Sequence, residues 1–257
     1  MIQQLIQKKF CYLAPSRSAL DLSDLNSVRN YFNRNNFSAV INCGAYTNVD
    51  GAESEQNLAY IVNGYAVGEI GRISAERQIP LIQISTDYVF DGTKVEGYVE
   101  LDSPNPINAY GRSKLLGEKL VSANNPSAIF VRTSAVFDPN IGSNFYRSIQ
   151  KLLLEKKVIS VVSDQITRPT SCIYLSNKIV FFLERLLDGS DLPKILHVAE
   201  YPAMSWFSFS QIIANEVEIQ RPACSVIPVS ASEHRSKAMR PLHSVLLDSI
   251  FGGNSTA

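Results

Sequence analysis

The chain has 257 residues, enough for one large domain or for a nucleotide-binding core with a smaller lobe beside it. Hydrophobic residues make up 45%, charged ones 19%, and 24 basic side chains balance 24 acidic ones. That balance leaves no global field to recruit nucleic acid or an anionic membrane, so the expected partner is a small molecule.

Residues 1–10 read as the second half of a helix that runs into a strand at 10–14. A helix follows at 24–35, capped by Ser23 or Asp24, then a strand at 38–43 and a largely helical stretch at 53–78. Residues 80–85 form an apolar run that reads as a buried parallel strand. A long polar loop then leads to about Asn108 and to a helix carrying Tyr110 and Lys114. Strands are predicted at 127–133, 158–162 and 194–199, with helices around 144–157 and 173–187. This alternation predicts an α/β fold, a Rossmann-like doubly wound parallel sheet. Residues 1–257 read as a single domain, with 1–135 mainly nucleotide-binding core and 136–257 mainly a substrate lobe interleaved with it. The first strand and the glycine-rich turn that open such a fold are absent, and the chain reads as truncated at both ends. It is therefore expected to bind a nicotinamide cofactor weakly and to be less stable than a complete relative.

Gly64, Gly68 and Gly71 superficially suggest a phosphate-binding loop. Leu58, Ile61, Tyr65, Ile70 and Ile73 recur through them at near-helical spacing, so they read as small residues that let a helix pack closely. Cys11, Cys43, Cys172 and Cys224 lack paired spacing, and buried reduced thiols are the expectation. His197, His234 and His243 match no zinc pattern, so no metal is expected. With no signal peptide and no apolar run long enough to span a bilayer, a cytoplasmic protein is expected.

The chemistry concentrates in two segments, Ser85-Thr-Asp-Tyr-Val-Phe90 and Tyr110-Gly-Arg-Ser-Lys114. Thr86 ends a strand, and Tyr110 and Lys114 share one helical face. Hydride reduction of a ketone builds charge on oxygen, so a proton donor and a positioning hydroxyl are required there. Tyr110 can donate the proton, and Lys114 is the cation that would ease its release. A Tyr-x-x-x-Lys pair alone is common in helices. Its placement beside a strand's carboxyl edge gives it weight.

Together with Leu20-Asp-Leu-Ser-Asp24, Asn42-Cys-Gly-Ala-Tyr-Thr-Asn-Val-Asp50, Arg132-Thr-Ser134, Asp164-Gln165, Arg168-Pro-Thr170 and Arg240-Pro241, these segments give a specific resemblance over residues 16–248. The chain resembles the dTDP-4-dehydrorhamnose reductase family of the extended short-chain dehydrogenase/reductases. The resemblance implies that Tyr110 is the proton donor, that Lys114 lowers its pKa and holds the nicotinamide ribose, and that Thr86 orients the sugar ketone. It implies that Asp87 faces the substrate, that Asp21 and Leu22 meet the adenine side, and that Gly44, Ala45 and Tyr46 pass close to the cofactor. A turn or cap is the competing role for Asp21, and a tight turn for Gly44. Arg17 suits a 2′-phosphate, which favours NADPH over NADH, although a solubilising surface Arg would look the same. Asn144 and Arg240 are candidates for nucleotide-sugar contacts, with structural pairing equally open for Arg240. Trp206 reads as core packing. The family's usual Trp after Arg-Thr-Ser, which stacks on the sugar, is Ala135 here, and a common Gly is Thr167. The implied activity is NADPH-dependent reduction of the C4 ketone of a deoxy nucleotide-sugar, with dTDP-4-dehydro-rhamnose the expected substrate and a homodimer allowed. The competing class is a non-catalytic subunit of the same fold, like the regulatory subunit of methionine adenosyltransferase.

Overall fold

A computed structural model describes residues 1–216, 224–234 and 236–248. In chain order the elements begin with α1 (Ile2–Gln7), α2 (Leu25–Arg34), β1 (Val40–Asn42), α3 (Val49–Ser54), α4 (Gln56–Tyr60), a π-helical turn at Ile61–Tyr65, α5 (Ala66–Glu76) and β2 (Leu81–Thr86). A 3-10 turn at Asp87–Val89 and a loop lead to α6 (Ala109–Asn124), β3 (Ile129–Thr133), β4 (Val136–Phe137) and α7 (Phe145–Glu155). Then come β5 (Val158–Val162), β6 (Ile166–Thr167), β7 (Thr170–Ser171), α8 (Cys172–Leu187), β8 (Ile195–Val198), β9 (Met204–Ser205), α9 (Trp206–Glu216) and β10 (Ser225–Val229).

Four parallel strands form the main sheet in the order β1-β2-β3-β8. Successive side chains of a strand point to opposite faces, and the apolar runs supply both. Ile82, Ile129 and Val131 meet Leu5 of α1 and Ile179, Phe182 and Leu183 of α8 on one side. Leu81 and Phe130 meet Val28, Phe32, Ile70, Ile73 and Val121 on the other. Helices therefore cover both faces, which is the predicted α/β arrangement. A second apolar cluster gathers Phe137, Tyr146, Ile149, Ile159, Phe209 and Ile213 around the β5–β10 pair. Among the described residues no helix is long and apolar enough to cross a membrane.

Two expectations need correction. Residues 10–14 form no strand. Strand structure needs a ladder partner, and among the described residues β1, at the sheet's edge, pairs with β2 alone. Phe10 instead packs against the α1/α8 cluster, while Cys11 is exposed. Cys43, just past the end of β1, is exposed as well, so of the four free thiols only Cys224 is buried.

The glycines at 64, 68 and 71 lie in a helical run and face α6. A Cβ built at each would come within 2.7 Å of Leu116, 2.8 Å of Leu120 and 2.9 Å of Val121 respectively. Gly117 answers from α6, where a Cβ would lie 2.2 Å from the Asn63 backbone oxygen. These glycines set the separation of two helices, not the grip on a phosphate. Gly117→Ala is expected to cost about 3 kcal/mol, because the obstruction is backbone and cannot swing aside. Urea unfolding measures this, and an unchanged midpoint would mean that the helices separate freely.

Candidate active site

The candidate site forms where β2 ends. Thr86 leaves the strand and its Oγ1 accepts the Tyr88 N–H at 3.2 Å, closing the turn that follows. The N-terminus of α6 is brought against this turn by three fixed contacts. Asn108 caps the helix, accepting from the Gly111 N–H at 2.8 Å, and its amide donates to Met239 O at 2.8 Å. Glu53 accepts the Ala109 N–H at 2.7 Å. Gly111 permits the approach, since a Cβ there would lie 2.1 Å from Tyr88 O. The glycine within Tyr-Gly-Arg-Ser-Lys thus lets the helix carry Tyr110 up to Thr86.

Tyr110 hydrogen-bonds with the Thr86 side chain, and its ring meets that of Tyr88 edge-on at 5.9 Å. Burial pushes the Tyr110 phenol up to about 12, opposed by the bond to Thr86 and reinforced by the nearby Asp87. Asp87 accepts from Thr86 Oγ1 at 3.0 Å. Burial raises its carboxyl to about 6 against hydrogen bonds to Ser244 and Thr86. A cavity of about 130 Å³ opens beside these groups. Thr47, Val49, Thr86 and Asp87 line it, with Tyr88, Tyr110, Ala135 and Trp206 completing the wall. Trp206, read as core packing, does pack against the cluster around Phe209, and its half-buried side chain also lines this cavity.

One turn after Tyr110, the Lys114 ammonium donates to Ile84 O at 2.7 Å. Burial lowers its pKa to about 8, while the charge of Glu118 works in the opposite direction. Lys114 is not among the groups that lower Tyr110. Burial sets the direction of the phenol, and the ammonium is turned to the strand carbonyl instead. One turn further on, Glu118 forms a buried fork with Arg132, at 3.0 Å to Nε and 2.7 Å to Nη2. Their side chains are 7% and 1% exposed, so the pair is shielded from water. Glu118 also accepts from Ser85 Oγ at 2.5 Å. The arrangement ties α6 to both central strands.

The other expected residues divide. Leu22 lies directly over Gly44, where a Cβ would meet its Cδ1 at 2.6 Å. Asp21 accepts from the Ser23 N–H and hydroxyl at 2.9 and 2.7 Å, and these bonds hold its carboxyl below the usual range. Arg17 is 3.8 Å from Asp21 and 80% exposed. Tyr46, following Gly44 and Ala45, is pinned through both backbone groups by the Asn63 amide, at 2.8 and 3.0 Å. Asn63 also reaches Ser113 Oγ on α6 at 2.9 Å. Sequence reasoning passed over Asn63. Its signal was a lone amide within an apolar helical stretch, and the π-helical turn is what aims it inward. Asn144 does not reach the cavity. Its side chain caps α7, accepting from Arg147 N at 3.1 Å and donating to Asp138 O at 2.8 Å. Arg240 pairs with Asp50 at 2.8 Å and hydrogen-bonds with Tyr88, which places it behind the cavity wall.

Residues 1–252 match the family described as the RmlD substrate binding domain. The chain belongs to this family. Spore coat polysaccharide biosynthesis protein SpsK of Bacillus subtilis is 34% identical over 96% of this chain and 83% of its own length. A dTDP-4-dehydrorhamnose reductase of Sinorhizobium fredii is 37% identical over 83% and 74%. Among solved structures, dTDP-4-dehydrorhamnose reductase from Bacillus anthracis in complex with NADP is 33% identical and superposes with a TM-score of 0.86, covering 96% of this chain and 86% of that one.

For this RmlD-family chain, the Glu118–Arg132 fork makes a stability prediction. Glu118→Ala leaves a buried guanidinium without its anion and is expected to cost about 3 to 5 kcal/mol. A double variant, Glu118→Leu with Arg132→Met, should recover most of that loss. Chemical unfolding of both proteins checks this, and a single variant as stable as the parent would show that the pair is not holding α6.

Proposed function

We propose that this protein reduces the C4 ketone of a deoxy nucleotide-sugar with NADPH, converting dTDP-4-dehydro-L-rhamnose to dTDP-L-rhamnose. The observation that carries the reading is the meeting of Tyr110, Thr86 and Asp87 at one small cavity. The Sinorhizobium fredii and Bacillus anthracis relatives agree with it, being dTDP-4-dehydrorhamnose reductases, the latter in complex with NADP.

The residues present fit a nicotinamide cofactor. Lys114 is a buried cation that gives one of its three donors to Ile84 O, so further donors remain for a ribose diol. Leu22 packs over Gly44, the Tyr46 backbone is tied through Asn63 to Ser113 next to Lys114 in sequence, and Arg17 offers an exposed guanidinium suited to a 2′-phosphate. NADPH, when bound, supplies the hydride. Thr86 positions the carbonyl oxygen by hydrogen bonding, and Tyr110 gives that oxygen its phenolic proton as charge develops. A phenol with pKa about 12 keeps its proton at neutral pH and is still more acidic than the alcohol being formed. Convergence of Thr86, Tyr110 and Lys114 at the end of β2 supports the reductase over the non-catalytic reading.

Tyr110→Phe is expected to lower kcat by roughly two orders of magnitude or more while NADPH affinity stays nearly constant. Lys114→Met should damage both. Steady-state rates beside cofactor titrations decide this, and equal small losses in the two variants would sink the assignment. Because Lys114 sheds its proton near about 8, kcat/KM should fall as pH rises through that value. A flat alkaline profile would remove Lys114's charge from the account. Arg17→Ala should weaken NADPH more than NADH, since only NADPH presents a phosphate there. An unchanged ratio of dissociation constants would return Arg17 to the surface.

A further inference from the structure

The cavity beside Tyr110 has one wall that the proton-transfer chemistry does not use. Trp206 begins α9, and Ser205 fixes that start by accepting the Ser208 N–H at 3.0 Å. Phe145 backs the indole, with ring centroids 4.5 Å apart, and Phe145 is itself stacked on Phe209 at 5.8 Å. The indole is therefore held from behind by two further rings while it lines the cavity with Tyr110 and Thr86.

The cavity also includes Ala135, whose side chain is a single methyl. This residue has φ of 45°, in the left-handed region that alanine seldom occupies. Its backbone is held by the Thr170 N–H, which donates to Ala135 O at 3.3 Å. A rigid aromatic surface and a small residue thus line the same space next to the proton donor. Aromatic faces bind through contact area and ring geometry, and polar groups then set orientation. A sugar ring presents a face of C–H groups, and a deoxy sugar adds a methyl.

We infer that Trp206 is the wall on which the sugar ring of the nucleotide-sugar packs, and that with Ala135 it determines which sugar the site accepts. The inference rests on the reductase reading above. It assigns to α9 the recognition of the sugar, while β2 and α6 keep the chemistry. Trp206 is a specificity residue here and takes no part in moving the proton.

Trp206 is the chain's sole tryptophan, so its emission reports on this wall alone. The protein is titrated with dTDP-rhamnose and with dTDP, emission is followed under tryptophan-selective excitation, and occupancy is measured by calorimetry. Saturable quenching by dTDP-rhamnose, with little response to dTDP at equal occupancy, is the expected result. Trp206→Ala should weaken dTDP-rhamnose by roughly tenfold and Trp206→Phe by only a few-fold, with dTDP affinity unchanged in both. Emission that ignores bound dTDP-rhamnose, or responds equally to dTDP, would overturn the inference and leave the reductase reading standing. Absence of calorimetric binding of dTDP-rhamnose would overturn that reading and the inference with it.

Discussion

The site depends on one buried ion pair, Glu118 with Arg132. Glu118 sits on α6 two turns after Tyr110 and one turn after Lys114, so whatever fixes it fixes them. Arg132 comes from β3, Ser85 from β2, and both bond the same carboxylate. The guanidinium also lies over the Phe90 ring at 5.2 Å, which ties in the segment after the Thr86–Tyr88 turn. A pair so shielded from water gains little stability over a well-packed apolar replacement, but it tolerates few geometries. Its contribution is position. It locks the rotation of α6 about its axis and thereby aims the phenol at Thr86.

A second constraint acts across the helix. The glycines at 64, 68 and 71 bring the π-helical turn and α5 close to α6, and Gly117 takes up the approach from the other side. That closeness lets one amide, Asn63, reach both Ser113 on α6 and the backbone of Tyr46 past β1. The Gly44–Tyr46 edge and the helix that carries Tyr110 are thus linked by a buried hydrogen-bond network. In a low-dielectric interior such a network is stiff, because breaking one member leaves the others unsatisfied.

Much of this was legible in the amino-acid sequence because it is written in period and punctuation. Apolar runs gave β2, β3 and β8, and Asp24, one of the two caps expected, starts α2 through its side chain. The strand expected at 10–14 failed because an apolar segment becomes a strand only where a ladder receives it. Cys43 was misjudged for a related reason, since it lies one residue past the end of β1. Lone residues whose task is set by distant partners were harder to read. Asn144 looked like a ligand contact, but a residue one position before an amphipathic helix was placed to cap it. Trp206 does pack against the cluster around Phe209 as read, and what the amino-acid sequence could not show is that the turn from β9 into α9 also sets it at the cavity. The raised Tyr110 phenol was invisible too, because burial is a property of the fold and not of Tyr-x-x-x-Lys spacing.

The central claim is that α6 delivers one proton donor, at a place fixed by β2, to a sugar held against α9. A crystal structure of the protein with NADPH and dTDP-rhamnose tests it most directly. The account places the sugar's C4 oxygen within about 3 Å of both the Tyr110 hydroxyl and Thr86 Oγ1, with the ring over the Trp206 indole. A sugar bound with C4 remote from Tyr110, while the Glu118–Arg132 fork is intact, would contradict it.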